Sequence, residues 1–308
     1  MILGKTKRPR NVDAPRAAAI LYGDWGTSKA YVIGLAFAIA GYSSFWLILA
    51  MSVLLVLVGI NYMAICRHYP NGGGVYASVY HRSKIIAIVG AFLLIADYIV
   101  TASISALSAF QYIGVPHPEL FAGAAIIGIG TLNYFGPKST GGMAVTVSVP
   151  TVLTVIGLTL FCLPHFGEAW RNVKPLSGGF WHSWSGFVGI VLAVSGVEAI
   201  ANATGVMKLD RGSTEERPSV KETSTPAILS VMLEVSIFTV LLGLGMHALG
   251  GLQVDHGDVN APGHAGVRDY MLRYMAEVFV GGPAGPLVGQ IAAWLVTGVF
   301  WLSVTLCR

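Results

Sequence analysis

The chain has 308 residues, of which 54% are hydrophobic and 11% are charged, and its mean hydropathy is +0.68. These values exclude an ordinary soluble domain and are typical of a membrane protein. The net charge of +4 says little by itself, so the placement of the charges carries the argument.

Eight apolar stretches are long enough to cross a bilayer, since a spanning helix needs about 20 such residues. They cover residues 16–40, 45–66, 86–113, 120–136, 143–164, 185–207, 227–249 and 286–307. Residues 1–16 are basic and lack an apolar core, so we expect no cleavable signal peptide. The sequence therefore predicts an all-α polytopic membrane protein.

The basic residues are divided unequally between the two sides of these stretches. Fourteen of the nineteen lysines and arginines fall on the side of the N-terminus. The positive-inside rule then places the N-terminus in the cytoplasm. A nucleic-acid site in the basic N-terminus is conceivable, but a topology signal explains it more simply.

The first stretch contains a charged, glycine-containing segment at residues 23–31, Gly-Asp-Trp-Gly-Thr-Ser-Lys-Ala-Tyr. Asp24 and Lys29 each cost about 2.5–3.5 kcal/mol at the centre of a spanning helix, and the glycines weaken the helix at the same place. Irregular backbone at membrane depth requires cover by protein or a wet cavity. Because broken helices form the substrate sites of secondary transporters, this segment predicts a transporter.

The sixth stretch has a similar segment at residues 195–205, with glycines, polar residues and the carboxylate of Glu198. The two segments lie five stretches apart, which indicates an inverted repeat of the LeuT/APC type. We therefore expect a cytoplasmic segment 1–15, a first five-helix repeat 16–164 and an incomplete second repeat of three spans, 185–308. On this interpretation the chain is a fragment, truncated after about eight spans.

Several acidic or basic residues lie inside the predicted spans, among them Asp24, Lys29, Asp97, Glu198 and Glu234. They could form ion pairs that only hold helices together, but intramembrane carboxylates are functional by default. Asp97, Thr101 and Ser105 recur at intervals of four residues and so share one helix face. A carboxylate aligned with two hydroxyls suits a hard cation, which prefers oxygen ligands. For Glu234, only its depth within a predicted span supports a functional role.

The connection 250–286 is long for an external loop. Val267, Met271, Tyr274, Met275 and Val278 recur there at helical spacing and predict an amphipathic helix, either a lid or a packing element. We attribute the His/Asp cluster at residues 255–258, with His264, to the ordinary polarity of a solvated loop. Cys66, Cys162 and Cys307 have no paired spacing, which favours buried thiols over a disulfide framework or a zinc site.

Four segments carry a resemblance to a known family. Residues 69–76 and 196–198 look like the signatures of the amino acid–polyamine–organocation (APC) superfamily. Residues 23–31 are similar to the motif G-D-x-G-T-S-P-L-Y of the KUP potassium-uptake permeases, residues 97–109 resemble their D-x-x-x-T-x-x-I-S-x-L-S-A stretch, and residues 196–199 fit their T-G-x-E-A-L segment.

The resemblance implies a ten-helix core, proton-coupled uptake and a potassium site. Carried over by position, that site comprises Asp24, Tyr31, Asp97, Thr101, Ser105, Ser195 and Glu198. The chain also departs from the pattern. Lys29 replaces the usual proline and could itself occupy a cation site or pair with Asp24, and Ala203 replaces a residue that is often acidic. The glycine triplet at residues 72–74 looks more like that of amino acid permeases.

Two alternatives stay open at this point. An amino acid or polyamine permease is the alternative within transport, although Asp24 in the first break would repel a substrate carboxylate unless it is protonated or paired with Lys29. A membrane-embedded enzyme or receptor is the alternative from another class, and the chain lacks an evident nucleophile–base arrangement. We expect a non-enzyme of the bacterial inner membrane without a cofactor, whose partners are lipid, a cationic or amino acid substrate and a coupling proton.

Overall fold

A computed structural model describes residues 9–133, 137–255, 258–260 and 266–306. The described part is almost entirely helical, and the protein is an all-α polytopic membrane protein, as predicted. The first helices in chain order are α1 (Ala14–Leu21), α2 (Lys29–Ala40), α3 (Ser44–His68), α4 (Gly74–Tyr80), α5 (Lys84–Ile113), α6 (Pro118–Asn133) and α7 (Pro137–Cys162). They are followed by α8 (Phe166–Asn172), α9 (Gly179–Ile190), α10 (Glu198–Ala203), α11 (Lys221–Met246), α12 (Met271–Ala284) and α13 (Pro286–Leu306).

The strands in the described part are two short ones, β1 (Gln253–Asp255) and β2 (Asp258–Asn260). They pair antiparallel with Val254 opposite Val259. Val259 is buried against the core whereas Val254 is exposed, so this hairpin covers one end of the helical bundle.

Six helical runs within the described ranges are long and apolar enough to cross a membrane. The first run, Ala14–His68, has 55 residues and contains the first two predicted spans. About 20 residues suffice for one crossing, and the chain bends at Gly41, whose φ of 54° favours glycine. The fourth predicted stretch corresponds to α6, which at 16 residues is shorter than a typical span. The first run thus contains two of the eight predicted spans, and within the described ranges the other predicted stretches also coincide with helices.

The first predicted break is confirmed. Between α1 and α2 the chain winds as a π-helix over Tyr22–Gly26 and then turns at Thr27 and Ser28. The hydroxyl of Thr27 donates to the Gly23 carbonyl at 2.9 Å, and that of Ser28 donates to the Trp25 carbonyl at 2.7 Å. These side chains satisfy backbone carbonyls that a regular helix would otherwise pair.

The existence of the second break is confirmed, but the break begins earlier in the chain than predicted. The α-helical ladder of α9 tightens into a 3-10 turn at Val191–Val194, and Ser195 is extended with ψ of 145°. Gly196 follows with φ of 118°, a conformation that side chains rarely adopt. The predicted irregular segment 195–205 is wrong over Glu198–Ala203, which form the regular helix α10, and a 3-10 turn follows at Thr204–Val206.

The two breaks lie against each other. The Ser28 hydroxyl is 3.3 Å from the carbonyl of Ala193, and Gly196 faces the side chain of Asp24. Helix α11 packs against both α1 and α3 and contacts the π-helical segment. The core of the molecule thus surrounds the irregular parts of the first and sixth predicted spans, as irregular backbone in a membrane requires.

The N-terminal segment is anchored beside the second break. Val12 forms a parallel bridge with Met207, with Val12 N–H donating to the Val206 carbonyl at 3.1 Å. The Arg10 guanidinium donates to the carbonyls of Pro70 and Thr204, each at 3.2 Å. One arginine therefore links the N-terminus to the turn after α3 and to the end of the sixth predicted span.

The predicted amphipathic helix exists as a 3-10 turn, Val267–Tyr270, followed by α12. Val267, Met271, Tyr274 and Met275 are buried, whereas Val278 is 39% exposed, which corrects its place in the predicted apolar face. Helix α12 packs on α13, α2 and α7. This burial favours the packing interpretation, and the lid function stays a prediction.

Parts of two minor predictions fall outside the described residues. Cys66 and Cys162 are buried free thiols, as expected, while Cys307 lies outside the described ranges. In the predicted His/Asp cluster, Asp255 pairs with Asp258 in the hairpin, and the two histidines lie outside the described ranges.

Asp210 holds the loop before α11 to the first turn of that helix. Its carboxylate accepts the backbone N–H groups of Lys221 and Glu222, each at 2.8 Å, and the hydroxyl of Ser219. We expect Asp210→Ala to lower the free energy of unfolding by about 1–2 kcal/mol, because it removes the cap of α11. Thermal unfolding of the purified protein measures this, and Glu216→Ala, an exposed acid in the same loop, is the matched control. Equal melting temperatures for the two variants would contradict it.

Candidate functional site

The first component of the site is a chain of hydrogen bonds between α5 and the second break. The Ser195 hydroxyl donates to Asp97 Oδ2 at 2.6 Å, and Thr101 Oγ1 lies 3.1 Å from Ser195 Oγ. Asp97 and Thr101 are one helical turn apart on α5, so both point toward the same loop. Because Ser195 donates to the carboxylate, Thr101 donates to Ser195. The extended backbone of Ser195 places its hydroxyl between them.

The second component is the contact between the breaks. A Cβ built on Gly196 would lie 2.8 Å from Cγ of Asp24, which is closer than real Cβ atoms come. The absence of a side chain at Gly196 is therefore what admits the Asp24 carboxyl group. Asp24 is half-buried within the π-helical segment.

Glu198 completes the cluster. Both of its carboxylate oxygens lie 3.0 Å from the backbone nitrogen of Gly196, which donates to them, and the residue is only 6% exposed. Glu198 also interacts electrostatically with Asp24 and with Asp97. Asp24, Asp97, Thr101, Ser195 and Glu198 therefore come together from the first, third and sixth predicted spans. Like charges at this range repel one another unless a proton or a cation neutralises them.

Two further sequence-predicted residues, Tyr31 and Ser105, are buried on α2 and α5. Within the described part of the chain, the hydroxyl of Ser105 has no hydrogen-bond partner. A buried hydroxyl without a hydrogen-bond partner is costly. A bound cation would remove that cost if the hydroxyl oxygen served as one of its ligands. Tyr31 is packed in the main hydrophobic core.

Sequence reasoning missed three polar side chains around Glu198. Tyr62 and Tyr98 interact electrostatically with the Glu198 carboxylate, and Asn202 donates to the Tyr98 hydroxyl at 3.0 Å. Asn202 lies four residues after Glu198 and so on the same helix face, a spacing that could have identified it. Tyr98 adjoins Asp97, whereas nothing in the sequence of α3 distinguishes Tyr62.

Lys29 and Glu234 form a separate ion pair. The Lys29 ammonium is 2.9 Å from Glu234 Oε2 and 3.1 Å from Oε1, and the side chains are 0% and 12% exposed. The Tyr22 hydroxyl donates to Glu234 Oε1 at 3.1 Å. The sequence had left open a pairing of Lys29 with Asp24, and the structure instead gives Lys29 a carboxylate partner on α11.

Comparison with known proteins gives limited but specific similarity. No family model matches the chain. A probable potassium transport system protein, Kup 1, of Bradyrhizobium sp. strain BTAi1 is 26% identical over 212 aligned positions, which cover 60% of this chain. The chain spans about a third of that relative, 35% of its length. It is a partial homologue of a Kup protein.

Proposed function

We propose that the protein is a secondary active transporter that takes up a small monovalent cation, potassium first among them, in company with a proton. The observation that supports this most is the convergence of three carboxylates and two bonded hydroxyls where two broken helices meet. Oxygen ligands with net negative charge offset the lost hydration of a hard cation. The Kup relative is named a potassium transport protein, which agrees with this proposal.

The geometry of the second break argues against a carboxylate-bearing substrate. In a transporter of that kind, free backbone N–H groups at a broken helix receive the substrate carboxylate. Here the N–H of Gly196 is already engaged by Glu198, an anion supplied by the chain itself. The Lys29 ammonium, the other candidate partner for a carboxylate, is bound to Glu234. A cation thus fits this site better than a neutral amino acid.

The crowding of acids supports the proposal of proton coupling. The carboxylate of Glu198 repels those of Asp24 and Asp97, and a bound proton or cation relieves this repulsion. A bound cation and a bound proton would then neutralise different members of the same group of carboxylates, so that the two can be carried together. We assign the coupling proton to this cluster, with Glu198, its least exposed acid, as the carrier.

The orientation in the membrane and the repeat organisation are proposed from the sequence pattern. We place the protein in a bacterial inner membrane. Its N-terminus lies on the cytoplasmic side, because most basic residues lie on that side. We also propose APC-type inverted repeats, with 16–164 and 185–308 as corresponding units, since each contains a broken helix at its start.

The test is a transport assay on the full-length protein in proteoliposomes. We expect uptake of rubidium, a potassium substitute, that rises with an inward proton gradient and falls when a protonophore dissipates that gradient. Labelled amino acids and polyamines are offered to the same vesicles. Robust exchange of an amino acid without rubidium uptake would refute the cation proposal and favour the permease alternative. Turnover or signalling without transport would favour an enzyme or a receptor.

A further inference from the structure

The Lys29 ammonium lies in a cage of oxygen atoms. Its Nζ atom is 2.6 Å from the Gly26 carbonyl, 2.9 Å and 3.1 Å from the two Glu234 carboxylate oxygens, and 3.4 Å from the Tyr22 hydroxyl. A carbonyl, a carboxylate and a hydroxyl are the ligands that a hard monovalent cation takes in place of water. The side chain that fills the cage is fully buried.

The helix break creates this cage. In a continuous α-helix the Gly26 carbonyl would accept the N–H of Ala30, four residues on. Here the Ala30 N–H donates instead to the Thr27 carbonyl at 3.0 Å. The Gly26 carbonyl is therefore left to bind a cation, and the chain supplies one from Lys29. The aromatic ring of Tyr22 lies 5.0 Å from the same ammonium and stabilises positive charge there.

Two of the residues that form the cage also border a cavity. Tyr22 and Glu234 line one end of a cavity of about 350 Å³ between α1, α7 and α11. Its other walls are mainly small and apolar, among them Ala18 and Val152. A cavity of this volume has room for a potassium ion, an ammonium ion or a small primary amine beside the cage.

We propose that this cage is a second monovalent-cation site, separate from the Asp24–Asp97–Glu198 cluster, in which the Lys29 ammonium is a tethered occupant. The site takes a potassium-sized or ammonium-type cation when the lysine is absent. In the native chain the lysine fills this site, so Glu234 is neutralised without an external ion. Within the described part of the chain, the Asp24–Asp97–Glu198 cluster then remains as the exchangeable cation site.

The test compares the thermal stability of purified full-length variants in different chloride salts at equal ionic strength. All variants carry Asp97→Asn, so that the proposed transport site cannot produce the response. In choline chloride we expect Lys29→Ala to melt roughly 5–15 °C below its parent, because Glu234 is left buried and unpaired. Potassium, ammonium or methylammonium should restore most of this loss in a saturable way.

The matched control is the double variant Lys29→Ala/Glu234→Ala, which removes both charges. We expect its melting temperature, and that of the parent with Lys29 intact, to be the same in choline and in potassium. Where Lys29→Ala does not fold in choline, the yield of folded protein in potassium against choline replaces the melting temperature.

A Lys29→Ala protein equally impaired in every salt, with the double variant folded, would overturn the second site and leave only a structural ion pair. A response that persists in the double variant would overturn it as well. Because stability is measured without transport, either result leaves the proposed uptake activity standing, and failure of rubidium uptake by the native protein leaves this site standing.

Discussion

Neutralising Asp97 is expected to lower rubidium uptake by the full-length protein strongly. Asp97→Asn keeps the size of the side chain and the hydrogen bond from Ser195, which now reaches an amide oxygen instead of a carboxylate. What it removes is the negative charge, and an anionic oxygen offsets the lost hydration of a cation far better than a neutral amide does. We expect a loss of about tenfold or more in uptake, equivalent to about 1.4 kcal/mol of binding free energy or more.

The same reasoning applies to the other acids and predicts a graded series. Asp24→Asn and Glu198→Gln should each lower uptake as strongly as Asp97→Asn. Thr101→Ala and Ser105→Ala should have smaller effects, since each removes one neutral oxygen. If Glu198 carries the proton, Glu198→Gln should also make any residual uptake insensitive to a proton gradient.

Rubidium uptake into proteoliposomes, normalised to the amount of inserted protein, measures the series. Glu168→Gln is the control, because it removes a carboxylate from an exposed position at the start of α8. Uptake by Asp97→Asn, Asp24→Asn and Glu198→Gln at the level of this control would show that the cluster only holds helices together.

The sequence predicted the features that depend on local patterns. Glycines beside Asp24 disfavour a regular helix wherever they occur, so the first break could be located within a few residues. The four-residue spacing of Asp97 and Thr101 places them on one helix face in any fold that keeps α5 helical. Both inferences rest on residues close together in the chain.

Long-range partners could not be predicted in this way. Lys29 and Glu234 are 205 residues apart, and the pairing of Lys29 with Asp24 looked equally reasonable from their proximity in sequence. The second break begins at Val191–Val194, whose apolar side chains give no sign of an irregular backbone. Its position depends on how Ser195 and Gly196 fit against α5 and Asp24, which is a property of the packed bundle.

Gly196→Ala is expected to be the most damaging single-methyl change at the site. The residue has φ of 118°, which costs a non-glycine residue about 1–3 kcal/mol. The added Cβ would also lie 2.8 Å from Cγ of Asp24. The carboxyl group must move away, and the contact between the two breaks opens. We expect loss of rubidium uptake, at least as large as for Asp24→Asn, together with a lower melting temperature.

Gly212→Ala separates the two causes of this loss. Gly212 also has a positive φ, 81°, but no atom lies within 4 Å of a Cβ placed there. The control therefore carries backbone strain in the loop before α11 without touching the carboxylates, and it should lose stability while it keeps uptake per folded molecule. If Gly196→Ala also kept uptake per folded molecule, the approach of Asp24 to the second break would be irrelevant to transport. If Gly196→Ala loses uptake and Gly212→Ala keeps it, the cation site depends on Gly196, where the absence of a side chain lets the first break contact the second.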